Sequence, residues 1–410
     1  MTRSLNFRAG LAFASVCALP FPVAAGGLER SGYNIDLLFD TGRLTVESAV
    51  TFVAPQRKLK NVRDLDPTPY VPIPSGTRGG GDLSVLPASA TGSENYWASR
   101  IGVKAAIGDA ADCMFDHSEP WGAHKRPTRD WAGANEDVET KLSSDSYAVT
   151  CSYRLDAGPG QIRLIGGSFY QEVSGFQEQL INGGIGRLDL EGAGWGWRAG
   201  LAYEIPEYAF RASLVYNSEV RLDDITGTLD LSQVLGVPAF DIHGAQDIPD
   251  VLELKLQSGI APDWLAFGAI KWTDWSQLQK VPFCSAAVTG ACTTSNSMTS
   301  LDLGYRDGWM VTGGLGYKFT DQWSGAVHLA WDRGTAQGFG TATDTWTLGL
   351  GAAYAPNSNI ELRIFGALAL LTGGRSETVI LDGEKYGQRA NYEFDDDIAA
   401  GVSSSLRVRF

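Results

Sequence analysis

The 410-residue chain carries 33 Lys and Arg against 47 Asp and Glu, a formal net charge of −14. This excludes nucleic-acid binding through phosphate neutralisation. Hydrophobic residues at 44% and charged residues at 20% read like a soluble protein, yet 49 Gly, 12 Trp, 14 Tyr and 17 Phe suit curved sheets bordered by aromatic girdles. Beyond the N-terminus no uncharged apolar run approaches the ~18 residues a membrane helix needs, which excludes a helical membrane protein.

Residues 1–25 read as a secretory signal peptide. Arg3 and Arg8 form a positive start, Leu11 to Ala18 an apolar run, and Val23-Ala24-Ala25 a small-residue cleavage site before Gly26. Residues 26–42 do not alternate. They carry Leu28, Tyr33, Ile35, Leu37, Leu38 and Phe39, which need somewhere to be buried. A wide barrel offers its lumen, so the segment is expected to act as a plug (hatch), with Tyr33, Asn34, Leu37, Leu38 and Phe39 lining the substrate path.

From residue 43 to 410 the recurring signal is alternation with a period of two, the mark of strands between two environments. Fourteen antiparallel strands are expected, over 43–59, 95–112, 142–155, 160–178, 194–204, 208–226, 249–260, 263–280, 306–318, 322–332, 342–354, 359–372, 376–392 and 396–410. Segment 376–392 alternates least clearly; without it thirteen spans remain, and since such barrels have an even number of strands, twelve is the fallback count. Short turns such as Asp156–Gly160 and Ala355–Asn359 alternate with long polar or Gly-rich segments over 60–94, 114–141, 179–193, 228–248, 281–305 and 333–341. The fold class is therefore all-β, a transmembrane antiparallel β-barrel.

The faces can be assigned. Ile360, Leu362, Ile364, Gly366, Leu368 and Leu370 oppose Glu361, Arg363, Phe365, Ala367, Ala369 and Leu371. Charge in lipid costs several kcal/mol, roughly 2–4 for Arg at midplane, so the Glu361–Arg363 face points into the lumen. Lumen-facing bases by this rule are Arg43, Arg100, Lys104, Arg211, Lys271, Lys318 and Arg363. Arg100, Lys104 and Lys271 are candidates for holding a substrate carboxylate; pairing with wall acids such as Glu47 and Glu361 is the plainer alternative.

An exported chain meets an oxidising compartment. Cys284 and Cys292 bracket a small-residue loop and are expected to staple it, leaving Cys113 with Cys151. No zinc-like spacing is present, and no cofactor or metal is expected. Of His117, His124, His243 and His328, only His328 falls on a lumen-facing strand position. No GxSxG, HExxH or phosphate loop occurs, so no set of catalytic roles can be assembled. Asp395-Asp396-Asp397 lacks the spacing of a calcium loop and reads as a solvated rim.

The last strand ends on Phe410, which resembles the C-terminal signal of bacterial outer-membrane barrels. It implies outer-membrane localisation, contact with outer-membrane lipid and lipopolysaccharide, and the barrel-assembly machinery as a partner. Ser31-Gly32, Asn34 and Phe39-Asp40, the stretch Gly200–Ile205 with Arg211 and Leu214–Val220, Trp272–Gln277, Gly304–Asp307, Gly314–Tyr317 and Trp323 together resemble the FadL family of outer-membrane transporters for long-chain fatty acids and aromatic hydrocarbons. One departure is that Asn34-Ile35-Asp36 stands where the family plug often has Asn-Pro-Ala, so plug geometry is expected to differ. The resemblance implies passive uptake of hydrophobic small molecules, long-chain fatty acids foremost. Movement of the plug and lateral exit at a strand irregularity would release them. A general diffusion porin for polar solutes, or a structural or adhesive surface barrel, are the alternatives.

Overall fold

A computed structural model describes residues 27–67 and 81–410. The expected signal peptide lies outside the described residues. Fourteen antiparallel strands close into a ring: β1 Leu44–Pro55, β2 Tyr96–Ile107, β3 Ala111–Ser118, β4 Glu139–Ala157, β5 Gly160–Ile181, β6 Gly184–Ile205, β7 Phe210–Asn217, β8 Val251–Ala261, β9 Trp264–Thr273, β10 Gly308–Lys318, β11 Trp323–Arg333, β12 Thr345–Tyr354, β13 Ile360–Leu371 and β14 Asp397–Arg409. Each strand pairs with its sequence neighbours, and β1 closes the ring on β14 from Thr45↔Arg409 to Pro55↔Ala399.

The expected faces hold. Along β14, Ile398, Val402 and Leu406 are exposed, whereas Ala399, Ser403, Ser405 and Arg407 are buried inward. On β13, Ile364 and Leu368 are more than 60% exposed and Glu361 and Arg363 only 2%. A belt this apolar requires a lipid solvent, and the buried charges require a lumen that pairs them. Stacked or tilted ring pairs such as Trp323–Tyr354 at the short-turn end and Phe52–Trp97 toward the long-loop end border the belt.

The count of fourteen agrees with expectation through two compensating corrections. The stretch 95–112 is the whole of β2 plus the start of a separate strand: Gly108, at φ +66°, turns the chain, and β3 occupies part of what read as the loop 114–141. Conversely, 376–392 is not a barrel strand. Asp382 and Gly383, both at positive φ, fold Val379–Leu381 onto Glu384–Tyr386 as a small hairpin above the barrel. The expected loop 179–193 is likewise a strand pair. β5 and β6 run 22 residues each and turn on Asn182-Gly183 at φ +49° and +79°. At ~3.3 Å per residue each spans about 70 Å, roughly twice what crosses the hydrocarbon, so half of the hairpin projects beyond it.

β7 and β8 project in the same way, continuing as Val220–Asp230 and Phe240–Ile248 beyond breaks at Ser218-Glu219 and Pro249-Asp250. Above the mouth, Lys58–Asp64, Ala90–Thr91, Gly374–Ser376 and Ala390–Phe394 form a small sheet. It packs on Trp131, Leu180 and Val138, a second core outside the membrane belt. Arg57 ties this cap together. Its guanidinium donates to the carbonyls of Thr372, Asp395 and Thr341 and to Thr343 Oγ1, at 3.1–3.4 Å.

Both expected disulfides are present. Cys113–Cys151 joins directly opposed residues of β3 and β4, and Cys284–Cys292 closes the loop after the short strand Lys280–Ser285.

Candidate functional site: an apolar cavity, an inner segment and a break in the wall

Three features meet inside the barrel. The first is the N-terminal segment. Residues 36–39 form a single turn of 3-10 helix whose Asp36 amide donates to Asn34 Oδ1 at 2.8 Å. Leu37 and Leu38 are fully buried and Phe39 nearly so, packed on Met114, Ile165, Ala202 and Val215, inward residues of β3, β5, β6 and β7. Charge fastens the same stretch. Asp40 meets Arg407 at 3.1 Å and Arg409 at 2.9 Å, and Asp36 meets Lys255 at 3.2 Å. Arg163 donates to the Leu38 carbonyl and lies 5.0 Å from the Phe39 ring centre, and Arg211 covers that ring at 4.2 Å. Tyr33 donates to Gln171 at 2.6 Å and packs against Trp121 and Phe169.

The second feature is a break in β3. Beyond Ser118 the chain reads Glu119-Pro120-Trp121 and resumes pairing with β4 over Gly122–Lys125. Ser118 faces Ser146 and Gly122 faces Ser143, so three residues oppose two, a bulge. Pro120 has no amide to give the ladder. The pairing of β2 with β3 stops at Arg100↔Ser118, leaving Tyr96–Ser99 without a β3 partner. The N-terminal segment takes the facing edge, Glu119–Gly122, instead. Gly122 N–H donates to the Leu28 carbonyl at 2.7 Å, Arg30 N–H to the Pro120 carbonyl at 2.9 Å, and Ser31 Oγ to the Glu119 carbonyl at 2.6 Å.

The third feature is a cavity of about 350 Å³ above the segment, within the range of small-molecule sites. Its wall is mainly apolar: Leu28, Trp121, Val173, Leu190, Leu222, Ile225, Trp275, Leu278, Val281, Phe283 and Tyr305 line it. The projecting halves of β5 to β8 and the loop 274–307 supply most of these. Glu136 and Asp137 also line it, and burial pushes their carboxyls up to about 7 and about 6, the former partly offset by Arg389.

The expected path residues Tyr33, Asn34, Leu37, Leu38 and Phe39 thus lie in the segment beneath the cavity. Arg100, Lys104 and Lys271 are engaged elsewhere. Arg100 meets Glu47 at 3.3 Å and donates to the Asn34 carbonyl, Lys104 meets Asp112 at 2.6 Å, and Lys271 contacts Glu29. None of the three lines the cavity. Asp395 meets Lys60 at 2.5 Å, Asp397 approaches Arg57, and Asp396 accepts from the Gly373 amide, so the acidic run is spent on the cap. His117 and His124, read as loop residues, sit on β3 and its continuation and contact Asp145 and Glu139. Part of the cavity lining, such as Val173, Leu222 and Ile225, lies in expected strands that no local pattern links to one another, and another part, Trp121, Leu190, Val281, Phe283 and Tyr305, lies in stretches read as loops. Leu188 and Leu190, or Ile242 and Ile248, keep the period of two there, and the Asn182-Gly183 turn was a signal for the strands that carry them.

The profile of the outer membrane protein transport family (OMPP1/FadL/TodX) matches residues 120–364. The long-chain fatty acid transport protein of Salmonella typhi is 23% identical over 335 residues, covering 75% of this chain and 72% of that one. That of Escherichia coli K12 is 24% identical over 210 residues, covering 45% of each. Among solved structures, a Pseudomonas aeruginosa FadL homologue superposes with a TM-score of 0.73 at 16% identity, and the Pseudomonas putida toluene transporter TodX with 0.58 at 14%; each match covers 92% of both chains.

Proposed function

Because this chain belongs to the OMPP1/FadL/TodX family of outer membrane transport proteins, we propose that it takes up hydrophobic small molecules, long-chain fatty acids foremost, without an energy source. The observation that carries this reading is the apolar cavity lying directly against both the inner segment and the break in β3. A hydrophobic molecule gains by moving from water onto apolar surface, at about 25 cal/mol per Å² buried. It would be captured through the loops into the cavity, where Trp121 and Trp275, 5.3 Å apart in edge contact, form part of the wall.

Residues 26–42 act as the plug in this reading. The buried Leu37-Leu38-Phe39 turn and the ion pairs of Asp36 and Asp40 support that role. Exit is sideways, through the wall at Glu119–Trp121, once the segment leaves the strand edge it now occupies. The family transports rather than catalyses, and the chain is not an enzyme. Long-chain fatty acids come first because the sequence relatives are long-chain fatty acid transport proteins; the toluene transporter among the structural neighbours makes monoaromatics the second substrate class to compare.

Binding tests this reading. Purified barrel in detergent is titrated with a long-chain fatty acid while tryptophan emission is recorded. Saturable quenching is expected in the wild type and is expected to fall by more than half in Trp121→Phe/Trp275→Phe. Linear, non-saturable quenching would contradict a built hydrophobic site.

A further inference from the structure

Lumenal cations in this barrel are mostly spent on neighbours. Arg57, Arg100, Lys104, Arg163, Lys255, Lys271, Arg363 and Arg407 each meet a carboxylate within 4 Å. Arg30 differs. It is 8% exposed and lines the apolar cavity, yet its guanidinium reaches no carboxylate within ion-pairing distance and no hydrogen-bond acceptor among the described residues. The group is packed against two neighbours. A Cβ on Gly122 would sit 2.5 Å from Nε, and the Tyr96 ring centre is 4.5 Å from Cζ. Glu119 is the carboxylate whose charge reaches it, but Glu119 Oε1 accepts from Ser99 Oγ at 2.8 Å and forms no ion pair with it. Arg198 also has a buried Nε without a partner, but it donates to Thr150 and does not line the cavity.

An isolated buried cation is costly, and an anion arriving in the same apolar space removes that cost. A guanidinium presents a planar fork that matches a carboxylate. From the uptake reading above, on which this inference rests, we propose that Arg30 is the head-group anchor of the cavity, selecting amphiphiles that end in a carboxylate over neutral molecules with the same tail. The tail would lie along Trp121, Leu222, Ile225, Leu278 and Val281. Position supports this role. The backbone amide of Arg30 is bonded to Pro120 in the β3 break, so the residue sits where the cavity meets the wall opening.

Competition binding with matched probes tests it. Palmitate and methyl palmitate are each titrated against a bound fluorescent fatty acid in the wild type, Arg30→Met and Arg30→Lys. Heat-modifiable mobility on gels confirms that each variant is a folded barrel. The wild type is expected to prefer the acid about tenfold, the order of one charge-assisted hydrogen bond. Arg30→Met is expected to lose that preference while still binding the ester, and Arg30→Lys to retain part of it. An equal affinity of wild type for acid and ester, or a preference unchanged in Arg30→Met, overturns the anchor while leaving hydrophobic uptake standing. No competition by either probe in the wild type overturns the uptake reading and the anchor with it.

Discussion

Leu222→Asp/Ile225→Asp is expected to cut long-chain fatty-acid binding roughly 50- to 100-fold without preventing barrel assembly. Both side chains line the cavity, and both lie in the continuation of β7 beyond the membrane belt. Replacing them removes ~100 Å² of apolar contact, about 2.5 kcal/mol at ~25 cal/mol per Å², and ten-fold in affinity is about 1.4 kcal/mol. Carboxylates facing an apolar tail add a desolvation cost in the same direction. Assembly should survive because the ladder of β6, β7 and β8 below Asn217 is untouched. The check is the same fluorescence titration, run beside a gel assay for the folded barrel. Unchanged affinity in a folded variant would place the ligand elsewhere.

Asp40→Ala is expected to loosen the inner segment. The Asp40 carboxylate gathers Arg407, Arg409, the Gly42 amide and Thr45 Oγ1 at 2.8–3.1 Å. Arg407 keeps Glu47 and Arg409 keeps Glu361, so the variant leaves the wall network in place and releases mainly the segment. Removing one partner of a buried pair typically costs about 3–5 kcal/mol. The expected results are several-fold higher ion conductance in planar bilayers and cleavage of the segment by protease from the short-turn side. Conductance at the wild-type level with a protected segment would mean that the Leu37-Leu38-Phe39 contacts alone hold it.

The barrel was legible because lipid and lumen impose opposite demands on alternate residues. Ile360 to Leu371 could be assigned to two faces from Glu361 and Arg363 alone, and the structure agrees. The upper halves of β5 to β8 escaped because they leave the membrane. There, both faces meet protein or water, the outward face turns polar, as at Glu172 and Asp189, and the contrast that reveals a strand fades. Turn chemistry is the better guide: Gly108, Asn182-Gly183 and Asp382-Gly383 mark three of the places where strand and loop differ from expectation, and the expected loop 228–248, which holds the strand Phe240–Ile248, is another.

The candidate site was legible in part. The apolar residues of 26–42 signalled burial, and burial is what the structure shows for Leu37 and Leu38. The cavity was not legible, because its lining gathers side chains from β5 to β8 and from a loop that no local pattern connects. The bases Arg100, Lys104 and Lys271 drew attention as lumen-facing charges, but a face does not reveal whether an acid across the lumen already holds the cation. Arg30 lay outside any alternating stretch, so the same rule could not reach it.

The uptake proposal turns on a lumen closed by its own N-terminal segment beside a hydrophobic cavity. It is tested most directly by single-channel conductance together with fluorescent fatty-acid uptake into liposomes, for the chain from residue 26 onward and for a version lacking residues 26–42. Low conductance and saturable uptake are expected in the intact protein, and a sharp rise in conductance on deletion. Large, steady conductance in the intact protein with no fatty-acid uptake would contradict it and identify a general porin instead.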